Sequence, residues 1–182
     1  VIELTDDEFY DFCQQNPDLK IERTAAGALV IRPPMGGGSG KRSFSLTTQL
    51  GIWTKQTQLG EGFDSSTVFR LPNGANRSPD AAWIANDRWN ALTPEQQERF
   101  PPIAPDFVVE LRSRTDDIED LEAKMREYME NGVRLGWLLD PITQRVKIYR
   151  QGQPVETLQS PTTLSGEPVL PGFVLDLSRI FR

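Results

Sequence analysis

The sequence contains no histidine. That absence removes every Ser-His-Asp or Cys-His triad, every His-ligated zinc site and every His-ligated haem. Cysteine is almost missing too. Cys13 is the single thiol, so no disulfide can form within the chain, and the composition fits a reducing cytoplasm. Its acidic surroundings, DEFYDFCQQNPD, disfavour a thiolate, so Cys13 is expected to be an inert, half-buried helix residue. No apolar run approaches the roughly 20 residues that span a bilayer, and residues 1–20 lack the basic start and apolar core of a secretory signal. A basic surplus is also absent: 20 Lys and Arg stand against 26 Asp and Glu, a net charge of −6. A protein that grips DNA by neutralising phosphates usually shows the opposite balance, so any contact with nucleic acid must come from a local basic strip. What remains for chemistry is carboxylates, lysines, hydroxyls and a metal bound through oxygen.

What is present suits a globular protein. The 182 residues, 37% hydrophobic and 25% charged, suffice for one domain (1–182) with a sizeable core. TDDEFYDFCQQNP (5–17) predicts a short amphipathic helix, with Thr5 as cap and Pro17 as stop. Alternation on either side of Ala26-Gly27 predicts a hairpin of strands over 19–24 and 28–32. GGGSG (36–40) reads as a flexible turn, and 41–60 as a helix closed by Gly60. Strands are expected over 66–71 and 77–86, then a short helix opened by Thr93-Pro94-Glu95. PDFVVELRS (105–113) has the continuous apolar character of a buried strand. TDDIEDLEAKMREYMENG (115–132) is the clearest helix, and 134–140 with 145–150 form a second hairpin. Helices before and after a central sheet make a mixed α/β domain.

Glu110 is the most informative residue. On strand 105–113, Phe107, Val109 and Leu111 point one way, and Val108, Glu110 and Arg112 the other. A carboxylate in such a strand is costly to bury unless it is paired or binds a metal. Asp80, directly before the apolar run AAWIA, is the second acid. Two carboxylates on neighbouring strands can converge on Mg²⁺, which takes one or two acidic ligands and keeps several waters. Lys124 is the candidate third member. It lies roughly 80° from the centre of the helix stripe Ile118, Leu121, Met125, Tyr128 and Met129, at a border from which a lysine can reach a site. Helix geometry taken alone favours a surface ion pair with Asp120 instead. MGGGSGKRS (35–43) is not a nucleotide-binding P-loop, because Met35 and Arg42 stand where glycine and Ser/Thr are required. Its Lys41 and Arg42 are candidate phosphate contacts bordering the site.

The strings GALVIRPP, RLPNGANRSPDAAWI, PDFVVELRS, AKMREYMENGV, LGWLLDP, VKIYR and LPGFVLDLSRIF, in this order, resemble the Uma-two family of restriction-endonuclease-like proteins. The resemblance spans about residues 5–182. It implies a restriction-endonuclease-like central mixed sheet flanked by helices, carrying a PD-(D/E)xK-type site. By position, Asp80 and Glu110 become the metal ligands, with the Leu111 carbonyl completing the set. Glu22 matches the family's early glutamate as an auxiliary residue. Arg112 stands two residues after Glu110, where such nucleases usually carry lysine, and Lys124 on the helix stands in for it. The implied function is Mg²⁺- or Mn²⁺-dependent hydrolysis of DNA, and the alternative is a nuclease-fold protein that binds without cutting. A homodimer is expected from the same resemblance, with Trp53, Trp83, Trp89 and Trp137 as the apolar surface available for it.

Overall fold

The computed structural model describes residues 3–182. The central element is a six-stranded sheet of β3 (Gly60–Asp64), β6 (Ala81–Ala85), β7 (Phe107–Leu111), β8 (Leu135–Asp140), β9 (Arg145–Arg150) and β10 (Glu156–Gln159). Its spatial order is β10-β9-β8-β7-β6-β3. Only β7 and β8 run parallel, and α5 (Ile118–Glu130) makes the crossover between them, as a parallel pair requires. A smaller sheet, ordered β2-β1-β5-β4, joins the hairpin β1 (Lys20–Arg23) and β2 (Leu29–Arg32) to β5 (Asn76–Arg77) and β4 (Phe69–Arg70). Strands β11 (Thr163–Ser165) and β12 (Val174–Asp176) pair near the C-terminus.

Alternation along β7 sorts its side chains between two apolar layers. Phe107, Val109 and Leu111 join α2 (Gly37–Thr57) and the C-terminal segment, through Leu46, Leu50, Trp53 and Phe173. Val108 points into the layer beneath α5, with Leu121, Met125 and Tyr128. Glu110 shares the face of Val108 and is therefore driven toward the helix. Helix α5 starts where the Asp117 carboxylate accepts the Glu119 N–H, and α1 (Asp6–Gln15) starts at a reciprocal Thr5–Glu8 capping box. Cys13 is half-buried on α1. No described helix is long and apolar enough to cross a membrane.

Several local expectations change. GGGSG is not a turn: Gly36 is the N-cap and Gly37 begins α2. Glycine resists helix formation, but Leu46, Leu50 and Trp53 further along anchor the helix in the core, and packing overrides propensity. The helix ends at Gln58 in the left-handed conformation, and Gly60 opens β3, a strand the sequence reading missed. The run 77–86 is interrupted by Ser78-Pro79-Asp80, so β5 and β6 are separate, and Asn86 starts a further short helix, α3 (Asn86–Asn90), ahead of α4 (Pro94–Glu98). Trp53, Trp83 and Trp137 are buried and build the interior, while Trp89 is half-buried against the core.

Gly60 is required by close approach. A Cβ there would run into the Ile84 carbonyl and the Trp83 indole, whereas at Gly62 the nearest atom would be Thr54 Oγ1 at 3.5 Å. Gly60→Ala is therefore expected to lower unfolding free energy by about 2 kcal/mol in urea denaturation, with Gly62→Ala much milder.

Candidate active site

Backbone pairing brings Asp80 to Glu110. The Asp80 N–H donates to the Val109 carbonyl at 2.9 Å, and Asp80 Oδ2 accepts the Leu111 N–H at 2.6 Å. Asp80 is thus stitched to β7 on both sides of Glu110. The interruption at Ser78-Pro79 makes this possible, because it frees the Asp80 side chain to cap a neighbouring strand.

Two elements meet behind Glu110: α5 contacts it directly and β1 reaches it through Lys124. Lys124 Nζ lies 2.8 Å from Glu110 Oε1 and 2.7 Å from Glu22 Oε1. Tyr128, one turn along α5, donates its hydroxyl to the same Glu110 Oε1 at 2.8 Å. Glu22 Oε1 also accepts the Ser78 N–H at 2.8 Å, so the hairpin holds both the turn before Asp80 and the lysine. Glu22, Glu110 and Tyr128 have at most 1% exposure, and Lys124 has 5%. Buried charge at this density survives only when paired and hydrogen-bonded.

The electrostatics divide the carboxylates. Burial and then the Glu110 charge push Asp80 up to about 7, against weaker pulls from Lys20 and the Leu111 N–H. Burial alone would raise Glu22 as well, but Lys124 and Arg32 beside it bring it down to about 2. Burial and the charge of Glu110 hold the Tyr128 hydroxyl well above its ordinary range, so it remains a donor. Asp80 is therefore the acid that gains most from a cation.

Above Asp80 and Leu111 opens a cleft of about 1130 Å³. Its walls include Lys20, Arg32, Arg42, Arg112 and Arg114 against Asp18, Asp80 and Asp116, with Met35, Pro141 and Ile142 on an apolar rim. The cleft is cationic in a chain of net charge −6. The larger positive share is local, as a phosphate-binding strip on an acidic protein has to be.

Residues 6–178 match the family model Uma2, described as "Putative restriction endonuclease". The chain belongs to the Uma2 family. The same fold is seen in the crystal structure of a "putative nuclease" from Anabaena variabilis, with a TM-score of 0.81 at 20% identity over 98% of this chain and 97% of that one. Comparison with the curated proteins gives no match.

The Uma2 chain thus brings Asp80, Glu110, Glu22 and Lys124 into one cluster, with Leu111 beside them. Lys124 does not form the surface pair with Asp120 that helix geometry favours. It is buried, because two carboxylates from different sheets, at 2.7 and 2.8 Å, attract its ammonium more strongly than one exposed acid could. Arg112 turns away and donates to Asp140 Oδ2 at 2.9 Å, tying the ends of β7 and β8 together. Arg42 lines the cleft, while Lys41 is exposed and is not among the lining residues. Sequence reasoning passed over Lys20, Arg32, Arg77 and the Tyr128 hydroxyl. Lys20 and Arg32 were legible from register: strand alternation puts Lys20 on the face of Glu22, and the hairpin pairs Lys20 with Arg32. Arg77 lies 3.5 Å from Glu22 and gave no signal.

Lys124→Met would strand two buried carboxylates and is expected to cost about 3–5 kcal/mol, measured by denaturant unfolding. Asp80 gives a pH signature in EDTA-treated protein. Its folded pKa of about 7 exceeds an unfolded value of about 3.9, so its contribution to stability is complete below the lower value and lost as pH rises through the higher. Asp80→Asn should therefore melt above wild type at pH 8, with the gap shrinking toward pH 5, as read by calorimetric Tm.

Proposed function

We propose that the protein is a metal-dependent phosphodiesterase acting on DNA, with Asp80 and Glu110 as the metal-holding pair. The observation that carries this is the elevated Asp80 lining a cationic cleft, with the charge of the buried Glu110 acting on it. Two carboxylates forced together repel, and a dication relieves that repulsion. The donor chemistry fits Mg²⁺ or Mn²⁺: hard oxygens from Asp80 and Glu110, a third that the Leu111 carbonyl would add, and room for waters in the cleft that Asp80 and Leu111 line. Among the described residues no cluster of three or more acidic or sulfur side chains could hold a metal by itself. A metal here would therefore take one or two carboxylates and fill its remaining positions with waters, as Mg²⁺ does.

When bound, the metal supplies Lewis acidity toward a phosphoryl oxygen and acidifies the attacking water. The remaining work falls to the chain. The Leu111 N–H fixes one oxygen of Asp80. Lys124 and Tyr128 together occupy Oε1 of Glu110, which leaves Oε2 for a ligand. Glu22 anchors the Lys124 ammonium at 2.7 Å, which holds it against Glu110. Arg42 and Arg114 on the cleft wall serve as contacts to flanking phosphates, which position a duplex without reading its sequence.

A second reading is a nuclease-fold protein that binds nucleic acid without cutting. Arg112 at the usual lysine position, committed to Asp140, favours it. Cleavage of plasmid DNA in Mg²⁺ or Mn²⁺ separates the two. Asp80→Ala and Glu110→Ala should each reduce cutting to background while far-ultraviolet circular dichroism stays native. Undiminished cutting by the double variant would eliminate the assignment.

A further inference from the structure

We propose that Lys20, with Arg32 opposite it, is the cation that touches the phosphate under attack, an inference that rests on the phosphodiesterase reading above. Lys124 is poorly placed for that contact. Its ammonium is already shared between Glu22 and Glu110 at 2.7 and 2.8 Å, which leaves it committed to the carboxylates. It belongs to the layer beneath.

Lys20 occupies the layer above. It lines the cleft with Asp80 and Leu111, and its side chain keeps 25% exposure. Its nearest acid is Asp80 Oδ1 at 4.0 Å, beyond hydrogen-bond reach. Directly across the hairpin stands Arg32, which also lines the cleft. Arg32 has only long contacts: its enclosed Nε lies 3.5 Å from Glu22 Oε2, and its Nη1 lies 3.8 Å from Asp116. Like charges directly opposite each other on antiparallel strands destabilise the pairing. Here neither cation is hydrogen-bonded to an acid, and both face the space over Asp80. A phosphodiester oxyanion between them would offset their repulsion and satisfy donors the free protein leaves unused.

The alternation of β1 assigns the two roles. Glu22 and Lys20 lie two residues apart on one face; the first points to the buried lysine and the second to the cleft mouth. In hydrolysis a water oxygen bonds to phosphorus, one P–O ester bond breaks, the water's proton passes to solvent and the leaving oxygen takes a proton from solvent. Lys20 takes no part in these proton transfers; its ammonium lies against the non-bridging oxygens as their charge grows.

The test compares wild type, Lys20→Met and Lys20→Arg. It measures plasmid cleavage in Mn²⁺, calorimetric affinity for Mn²⁺ alone and for thymidine 5′-monophosphate with Mn²⁺, and Tm. Lys20→Met should cut about 100-fold more slowly and bind the nucleotide about tenfold more weakly, while Mn²⁺ binding and Tm are kept. Lys20→Arg should recover most of both losses. A wild type that cuts and binds, matched in both by Lys20→Met, would overturn the role of Lys20 alone. A wild type that binds neither Mn²⁺ nor the nucleotide and cuts nothing would overturn the reading of the site, and Lys20 with it.

Discussion

One ammonium group holds this molecule's chemistry in place. Lys124 lies within hydrogen-bond distance of Glu22 and of Glu110, two acids from different sheets that could not be buried without it. Each carboxylate alone would cost several kcal/mol to desolvate. With the lysine between them, the hairpin, the central strand and α5 are fixed relative to one another by charge as well as by apolar packing. The arrangement exceeds what stability requires, since well-packed apolar residues would serve at least as well. What the cluster does is position the elements around it.

What it positions is the floor of the cleft. Beneath the surface Lys124 links Glu22 to Glu110 and Tyr128 donates to Glu110; above it Asp80, Leu111, Lys20 and Arg32 line the cleft. The boundary runs through Glu110, whose Oε1 is held from below. Asp80 carries the cost, because its ionised form is opposed by burial and by Glu110. Strain of this sort is expected where a site is built for a ligand rather than for the free protein.

Legibility followed the strength of the local signal. β7 could be read completely, including which side chains share the face of Glu110, because alternation in a buried strand has one solution. α5 was equally clear, yet the direction of Lys124 was not. A border lysine can snorkel outward or turn inward, and the choice depends on Glu22, 102 residues away in sequence. Resemblance, not helix geometry, supplied that lysine as a candidate. The Gly-rich opening of α2 and the short β3 misled for opposite reasons. In α2 long-range packing overrides glycine's reluctance. At Gly60 the glycine marks close approach to Trp83 and Ile84 rather than a helix stop. The cationic cleft on an acidic chain could be stated from composition only as a requirement; its members come from four separate segments.

The most direct measurement is a crystal soaked in Mn²⁺ at millimolar concentration and neutral pH, with anomalous diffraction recorded at the manganese edge. The account predicts a single strong peak bound by an Asp80 oxygen and Glu110 Oε2, adjacent to the Leu111 carbonyl, and its loss in Glu110→Ala. A fully ordered cleft with no peak there, or a peak unaffected by Glu110→Ala, would contradict it.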